Sequence, residues 1–256
     1  MKKDFNQTSR KSPKISVITV VLNGENYLEE TILSVKNQSF KDFEYIIIDG
    51  GSTDGSLEII SRYNDIIDYC ISEKDRGIYD AFNKGMQVSR GKYLGFVNSD
   101  DVLMPNALEI LNKYDNNNPE IDFIFGSVKK HWGILHGYKP SKINYSWGFY
   151  SSHSTGFFIK KESAKKVGLY DLRYKYHSDY DYFYRMIVKN KLQGIGTKKE
   201  ELFGVFRRGG FSSTVKFKDL LKEDMQIRIR NGQNIFFVFF ISVYKVIRHI
   251  IKIIQK

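Results

Sequence analysis

Four short apolar segments alternate with helical patterns through the first hundred residues, and this alternation limits the possible folds more than any other feature. The apolar segments span residues 14–21, 43–48, 66–72 and 92–97. Between them, apolar residues recur at the three- and four-residue spacing of amphipathic helices. Strands that alternate with helices are typical of a parallel sheet with right-handed crossovers. The sequence therefore predicts an α/β fold with a mostly parallel central sheet flanked by helices.

Polar segments follow the last three of these predicted strands. They span residues 49–55 (Asp-Gly-Gly-Ser-Thr-Asp-Gly), 73–85 and 98–101 (Asn-Ser-Asp-Asp). Ligands of open α/β sheets bind outside the carboxyl ends of the strands. We therefore expect the three segments to meet at one edge of the sheet and to form a binding site.

Residues 98–101 place two adjacent carboxylates directly after an apolar run. Hard divalent cations prefer oxygen ligands, and Mg²⁺ is often held by one or two carboxylates together with substrate phosphates. The tetrapeptide therefore suggests a site for a metal and a diphosphate. Taken alone, it is also compatible with an ordinary polar turn after a strand.

Residues 49–55 combine a carboxylate with glycines that permit a tight turn. Asp49 could accept hydrogen bonds from a nucleotide base or from its ribose. Alternatively, Ser52, Thr53 or Asp54 caps the next helix, and both roles are compatible. The segment lacks the G-x-G-x-x-G pattern, which disfavours a dinucleotide-dependent oxidoreductase.

Residues 73–85 contain an arginine suited to phosphate recognition, because its guanidinium matches two oxygens at once. This residue is Arg76, and Asp80, Asn83 and Lys84 follow on one predicted helix face. Taken alone, the segment is more often a solvated helix start than a binding site.

Taken in order, Asn23 and these three segments resemble the family 2 glycosyltransferases with the GT-A fold. More narrowly, they are similar to the bacterial members that build surface polysaccharides, and the resemblance covers about residues 14–214. It implies an inverting transfer of a sugar from a nucleotide-diphosphate sugar, with a UDP-sugar favoured. The implied acceptor is a saccharide or a lipid-linked glycan of capsule, O-antigen or lipopolysaccharide, and the implied cofactor is Mn²⁺ or Mg²⁺.

The resemblance also implies roles for individual residues. Asp179 matches the catalytic general base, His153 lies in a segment that lines the acceptor side, and Asp101 and Asp100 match the metal-binding acids. The implied nucleotide-sugar contacts are Val20, Asn23, Asp49, Arg76, Asp80, Lys84, Ser99, Asp100, Arg207 and Arg208. Among them, Asp49 matches the acid that contacts the base, and the two late arginines match a loop that closes over the diphosphate.

This chain departs from the family pattern at three positions. Gly50 stands where many relatives have a second Asp, and Asn98 stands where many have the first acid of the metal motif. Ser178 replaces a frequent Glu beside the general base. The loss of acids keeps open a second hypothesis, in which the chain is a sugar-nucleotide or glycan-binding module with a degenerate site.

Three of the assigned roles have structural alternatives. Asp179 could instead cap a helix over residues 181–189. His153 could be an ordinary loop residue, and residues 207–208 could form a basic turn. A nucleotidyltransferase is a third hypothesis for the chain, but the expected glycine-rich N-terminal loop with basic residues is missing.

Charge and hydropathy divide the chain into a basic lead-in at 1–14, a catalytic domain at 15–214 and a helical region at 215–256. Of the net charge of +11, the lead-in holds five Lys and Arg against one acid, and the helical region holds nine against three. The catalytic body is therefore nearly neutral, which argues against a nucleic-acid groove. We expect the lead-in to be disordered, and Cys70, the single cysteine, to be a core residue.

The helical region ends in an amphipathic pattern. A dense apolar run at 235–241 precedes a basic stripe that recurs every three or four residues. The run is short for a membrane span, so we expect a helix that lies in a membrane interface, while packing on the catalytic body or on another subunit is the alternative. The first residues lack an apolar signal region, and we expect a cytoplasmic protein, peripheral at the inner face of the membrane.

Overall fold

The computed structural model describes residues 2–4, 12–145, 154–207 and 215–255. Its strands are β1 (Lys2–Asp4), β2 (Ile15–Val21), β3 (Phe43–Asp49), β4 (Tyr69–Ser72), β5 (Tyr93–Phe96), β6 (Val102–Leu103), β7 (Phe123–Phe125), β8 (Ser127–Lys130), β9 (Gly133–Leu135), β10 (Phe157–Lys160), β11 (Gly194–Gly196) and β12 (Leu202–Val205). Its α-helices are α1 (Leu28–Lys36), α2 (Ser56–Arg62), α3 (Ile78–Val88), α4 (Ala107–Asn117), α5 (Lys161–Val167), α6 (Ser178–Tyr184), α7 (Phe217–Arg230) and α8 (Ile235–Ile254). A 3-10 turn spans Pro140–Asn144, and a π-helical turn spans Arg185–Lys189.

The central sheet has the strand order β1-β4-β3-β2-β5-β10-β7-β11. Strands β4, β3, β2 and β5 run parallel, which confirms the predicted parallel sheet. The chain passes from β2 to β3 and β4 on one side and then returns to place β5 on the other side of β2. The order of strands thus reverses between β2 and β5, which is where open α/β sheets bind their ligands.

Both faces of this sheet are covered, which explains why its strands are almost wholly apolar. Successive side chains of a strand point to opposite faces. Ile46 and Ile48 pack with Phe82 of α3, whereas Ile47 packs in a second cluster with Leu28 of α1 and Leu108 of α4. Helix α3 therefore covers one face, and α1 and α4 cover the other.

A glycine lets α3 lie directly on the sheet. A Cβ atom added at Gly85 would come within 2.5 Å of Ile18 Cγ2 in β2. This close approach fixes the height of α3 above the sheet, and its first turn lies just after β4 at the carboxyl edge.

The second half of the chain extends the sheet with antiparallel strands and adds a smaller sheet. Strand β10 pairs antiparallel with both β5 and β7, and the smaller sheet has the order β6-β12-β8-β9. Aromatic rings fill the space between β7, β10 and α6, with Phe157 and Phe183 in edge-to-face contact at 4.8 Å. These strands bring residues 154–155 and 205–207 to the carboxyl end of β5.

The two C-terminal helices pack on each other, and α7 also packs on α6. Asp224 of α7 is buried and accepts hydrogen bonds from Arg228 of the same helix and from Lys245 of α8. The remaining face of α8 is exposed and apolar. Among the described residues, no helix combines the length and apolar character needed to cross a bilayer.

Two local predictions differ from the structure. Strand β4 begins at Tyr69 rather than at residue 66, because residues 63–66 turn and the Asp68 side chain accepts a hydrogen bond from Tyr45 N. Within the lead-in that was predicted to be disordered, Lys2–Asp4 forms β1, which pairs antiparallel with β4. Cys70 is buried in β4, as expected.

Candidate active site

The carboxyl ends of the parallel strands form one rim. Val21 lies beside Asp49 in the ladder between β2 and β3, and Asp49 lies beside Ser72 in the ladder between β3 and β4. Strand β5 ends nearby, since Val97 N donates to Ile18 O of β2. Val20 is one residue short of the rim, and its side chain packs in the core.

The turn after β2 is tied to the turn after β3. Asn23 adopts a left-handed conformation with φ of 53°, its amide N–H donates to Ser52 Oγ, and its Oδ1 accepts from Thr53 N. Asp54 accepts from Ser56 N, so the turn after β3 also supports the start of α2. These bonds fix the two turns as one unit at the rim.

The Asp49 carboxylate forms its hydrogen bonds within this unit and with β4. It is fully buried, and its carboxylate accepts hydrogen bonds from Gly51 N, Ser52 N and Ser72 Oγ. Backbone and hydroxyl donors therefore surround the acid that the sequence assigned to the nucleotide base. In this arrangement, Asp49 shapes the turn and is closed to solvent.

The two adjacent acids after β5 have different surroundings. Asp101 is only 1% exposed and accepts hydrogen bonds from Thr155 Oγ1 at 2.6 Å, Ser154 Oγ at 3.3 Å and Arg207 N at 3.3 Å. Burial raises the pKa of Asp101 to about 7. Asp100 is partly exposed, and burial raises its pKa as well. Asp100 is therefore the member of the pair that can meet a ligand.

Thr155 holds Asp101 from an unusual backbone position. Its φ is 58°, which is an outlier for a β-branched residue, and its side chain is fully buried. Such strained positions persist only where the surroundings enforce them, and they concentrate at functional sites. Sequence reasoning missed this contact, because residues 101 and 155 lie far apart in the chain.

Asn98 offers an oxygen that the described residues leave unused. Its Nδ2 donates to Ser154 Oγ at 3.2 Å, whereas its Oδ1 is buried and accepts no hydrogen bond from the part of the chain that the structure describes. Together with the Asp100 carboxylate, this oxygen is a donor set that suits a hard divalent cation. Within the described ranges, no group of three or more His, Cys, Asp and Glu side chains could hold a metal ion, so a cation would need oxygens from its ligand.

The start of α3 carries a network of charges. Arg76 pairs with Asp80 at 3.1 Å, and Lys84 pairs with Glu73 at 3.0 Å and with Asp80 at 3.8 Å. Against the opposing effect of burial, hydrogen bonds from Arg76 hold the pKa of Asp80 below its ordinary value. The Arg76 side chain is 76% exposed and can therefore also reach an anionic ligand.

Asp179 lies in the first turn of α6 and is buried. Helix α6 begins at Ser178, and its N-cap residue is His177, so the alternative that Asp179 caps a helix at 181–189 is wrong. Asp179 Oδ1 accepts from Tyr79 Oη at 3.2 Å, which links α6 to the start of α3. Sequence reasoning missed Tyr79, although it lies within the segment that carries Arg76.

Asp181, two residues further on, has a structural role. It accepts hydrogen bonds from Arg185 Nε at 2.8 Å and from Asn231 Nδ2 at 2.9 Å, which join α6 to α7. These two partners use both carboxylate oxygens of Asp181 for packing between helices. This leaves Asp179 as the acid of α6 that contacts the rim.

The remaining predicted residues divide into those at the rim and those outside the described part of the chain. The Arg207 guanidinium pairs with Glu30 and lies 4.6 Å from the centre of the Tyr27 ring, beside the rim. Ser99 is partly exposed, and its carbonyl accepts from Thr31 Oγ1. His153 and Arg208 lie outside the described residues.

A family model described as glycosyl transferase family 2 matches residues 16–191 of the chain. An uncharacterized glycosyltransferase of Methanocaldococcus jannaschii is 30% identical over 252 residues, covering 90% of this chain and 87% of that protein. A PGL/p-HBAD biosynthesis glycosyltransferase of Mycobacterium bovis is 25% identical over 230 residues, covering 82% of this chain and 84% of that protein.

Solved structures share the fold at low sequence identity. The S. aureus TarS fragment 1–349 in complex with UDP has a TM-score of 0.69 at 18% identity. The match covers 84% of this chain but 64% of that one, so this chain spans less than two thirds of the TarS fragment. The mannosyltransferase PcManGT from Pyrobaculum calidifontis, in complex with GDP-Man and Mn²⁺, has a TM-score of 0.58 at 16% identity, with coverage of 93% and 65%.

Proposed function

The chain belongs to glycosyltransferase family 2, and from that premise we propose that it moves a sugar from a nucleotide-diphosphate donor to a saccharide or lipid-linked acceptor. The product belongs to a cell-surface polysaccharide such as capsule, O-antigen or lipopolysaccharide. The contact between Tyr79 of the rim and the Asp179 carboxylate carries the proposal, because it supplies a general base beside the ligand edge of the sheet.

The donor is a nucleotide sugar, with a UDP-sugar favoured. TarS has been solved with UDP and with UDP-GlcNAc, and the Pyrobaculum enzyme with GDP-Man, which supports this class of donor for the shared fold. The reversal of strand order between β2 and β5 supports a diphosphate site between the turn at Asn23 and residues 98–101.

A divalent cation, Mn²⁺ or Mg²⁺, fits the Asn98 Oδ1 atom and the Asp100 carboxylate. Mg²⁺ sites commonly use one carboxylate and complete their shell with phosphates and water. When bound, the cation neutralises charge that develops on the leaving diphosphate. Asp101, which the sequence assigned to the metal, instead holds residues 154–155 and the backbone of residue 207 around the site.

Asp179 takes the proton of the acceptor hydroxyl. A general base must lie within hydrogen-bond reach of that hydroxyl, and its carboxylate is already oriented by Tyr79 Oη. Arg76, after β4, adds positive charge beside the nucleotide end of the donor. Attack from the face opposite the diphosphate inverts the anomeric carbon in one displacement.

Membrane contact through α8 brings the enzyme to a lipid-linked acceptor. The exposed face of this helix presents Phe236, Phe239, Phe240, Tyr244 and Ile247, whereas Arg248 and Lys252 add positive charge near its end. A basic amphipathic helix of this kind lies in the interface of an anionic membrane. The protein then works as a peripheral enzyme at the inner membrane face.

Turnover of nucleotide sugars tests the proposed activity. Full-length protein is incubated with UDP-glucose, UDP-GlcNAc, UDP-galactose and GDP-mannose, with a bacterial lipid extract as acceptor, and released nucleoside diphosphate is measured with Mn²⁺ and with EDTA. We expect metal-dependent release with at least one donor. Asp179→Asn should lower the rate on the order of 10³-fold and leave the Kd for the nucleoside diphosphate within twofold.

Asp65→Asn is the matched control, since it removes the same charge from an exposed loop far from the rim. Donor binding without turnover in the wild type would favour the binding-module hypothesis. Pyrophosphate exchange with a nucleoside triphosphate would favour a nucleotidyltransferase instead.

A further inference from the structure

Asp49 is poorly placed to contact a nucleobase. Its side chain is fully buried, and the three donors of its own turn and of β4 surround the carboxylate. A base could reach it only if Ser72 or the turn at residues 50–52 moved. Some other acceptor must therefore contact the base if this end of the rim contacts it at all.

A second carboxylate, that of Asp75, lies directly beside this turn. A Cβ atom added at Gly50 would overlap Asp75 Oδ2, so Asp75 occupies the space that any side chain at position 50 would need. The backbones of the two turns also approach closely, since a Cβ atom at Gly51 would lie 3.3 Å from Lys74 Cα. The glycines at 50 and 51 thus admit the loop after β4 to the rim.

One oxygen of Asp75 is fixed and the other is open. Oδ1 accepts from Gly77 N at 2.9 Å, which orients the carboxylate. Among the described residues, no donor hydrogen-bonds to Oδ2 and no cation pairs with it within salt-bridge distance. The side chain is partly buried, and burial raises the pKa of its carboxyl group. This oxygen is therefore an acceptor that the described residues leave open to a donor from solvent or from a ligand.

The position of Asp75 along the rim suits the base of a nucleotide. The oxygens of Asn98 and Asp100 follow β5, whereas Asp75 follows β4, three strands away in the order β5-β2-β3-β4. Three strand spacings correspond to about 14 Å, which matches the length of an extended nucleoside diphosphate. A donor whose diphosphate lies at the strand reversal therefore brings its base to the end of β4.

We propose that the Asp75 carboxylate reads the nucleobase of the donor by accepting a hydrogen bond from a ring N–H group. This inference rests on the proposed function and extends it to base specificity. Uracil presents a ring N–H at N3, and guanine presents one at N1 beside an amino group. Cytosine and adenine present a ring acceptor at the corresponding position, which a carboxylate repels. The site therefore selects UDP- or GDP-linked sugars against CDP- and ADP-linked sugars.

Binding of the four nucleoside diphosphates tests this selection. The Kd values of UDP, GDP, CDP and ADP are measured by calorimetry with the full-length protein and Mn²⁺, so that no acceptor is needed. We expect UDP or GDP to bind at least tenfold more tightly than CDP and ADP. Asp75→Asn keeps the shape of the side chain and the acceptor for Gly77 N. It should raise the Kd of the preferred nucleotide at least tenfold and reduce the ratio of the CDP Kd to that Kd. Asp65→Asn is the charge-matched control and should change neither.

A carboxylate exchange provides a second test. Gly50 does not have a positive φ, so Asp is compatible with its backbone. The double variant Gly50→Asp/Asp75→Gly moves the carboxylate across to the neighbouring turn, and it should recover the base preference that Asp75→Gly alone loses. Recovery supports reading by a carboxylate at this point, and a folded double variant without recovery overturns it.

The outcomes separate the two proposals. If wild type binds UDP or GDP with preference and Asp75→Asn retains both affinity and preference, the assignment of Asp75 is wrong while the nucleotide-sugar donor stands. Preference for CDP or ADP likewise overturns the assignment alone. If no nucleoside diphosphate binds, the proposed function fails together with it.

Discussion

The hydroxyl of Tyr79 joins two parts of the rim, since it donates to Asp179 Oδ1 and also lies 2.9 Å from Tyr176 O. Tyr79→Phe removes this group and keeps the ring stacked on Tyr170. Because the hydroxyl orients the proposed base and not the donor, we expect kcat to fall about tenfold with the donor KM nearly unchanged.

Steady-state kinetics at saturating acceptor check this expectation. Thermal unfolding of the same preparation serves as the control for stability, and a change of about 1 kcal/mol is consistent with one lost hydrogen bond. A rise in donor KM with unchanged kcat would instead place Tyr79 in donor binding.

Asp115 stabilises the opposite edge of the sheet. It is buried in α4, pairs with Lys92 at 2.8 Å and with Lys14 at 3.0 Å, and accepts from Tyr93 Oη. Against the opposing effect of burial, these partners lower the pKa of Asp115. An acid whose folded-state pKa is lowered stabilises the protein above its unfolded pKa, and this stability is lost as the pH falls through the folded pKa.

We therefore expect Asp115→Asn to lower the free energy of unfolding by about 2 kcal/mol at pH 7, since it breaks a buried pair whose Lys92 is half exposed and screened. The difference from wild type should shrink steadily as the pH is lowered below about 4. Urea unfolding at pH 7 and at acid pH measures both values. A difference that stays constant with pH would contradict the assigned ion pairs.

Residue types and their places after strands could be predicted from the sequence, but their partners could not. Asp49 and Asp100 lie at the expected rim because Asp49 ends β3 and Asp100 lies shortly after β5. The burial of Asp101 depends on Thr155, and the space for Asp75 depends on Gly50; each partner belongs to another segment of the chain. Only the packed structure reveals which acid is closed and which is open.

Helix α3 lies on the sheet at a height set by Gly85. Alanine has a helix propensity about 1 kcal/mol better than glycine, but its methyl group would lie 2.5 Å from Ile18 Cγ2. We expect Gly85→Ala to lower the free energy of unfolding by about 2 kcal/mol, because overpacking outweighs propensity. It should also weaken donor binding, since α3 carries Asp80 and Lys84.

Chemical denaturation and nucleotide calorimetry measure these two effects. Gln87→Ala, on the exposed side of the same helix, is the matched control and should leave both unchanged. A Gly85→Ala protein as stable as wild type would show that α3 can move away from β2 without cost.

At the scale of elements, hydrophobic periodicity predicted the parallel strands and most helices, because burial on both faces leaves a strong apolar pattern. The pattern placed the start of β4 too early, because there the Asp68 side chain, and not a backbone carbonyl, accepts the hydrogen bond from Tyr45 N of β3. It also missed the start of α6, where four of the seven residues are aromatic and all seven are buried. A helix buried all round has no polar face to mark its period.

At the scale of the whole molecule, most of the large hydrophobic side chains that the described residues expose lie on α8. Phe236 is 72% exposed and Phe240 is 68% exposed. We expect the double variant Phe236→Ser/Phe240→Ser to reduce binding to vesicles that contain anionic lipid at least tenfold, because the loss of two aromatic anchors removes buried apolar area.

Sedimentation with vesicles of phosphatidylglycerol and phosphatidylcholine measures this binding. Trp132→Ser, at an exposed aromatic of the turn between β8 and β9, is the control. Unchanged sedimentation, together with a dimer that the Ser variant converts to a monomer, would show that α8 contacts a second subunit instead.

Helix α7 stands between the apolar helix and the proposed base. The Glu223 carboxylate accepts hydrogen bonds from the backbone N–H groups of residues 175–177, directly ahead of α6. The adjacent Asp224 pairs with Lys245 of α8. Deletion of α8 therefore removes Lys245, the partner of Asp224, from the helix that holds the segment ahead of Asp179. We therefore expect a protein without α8 to turn over its substrates more slowly than the full-length chain.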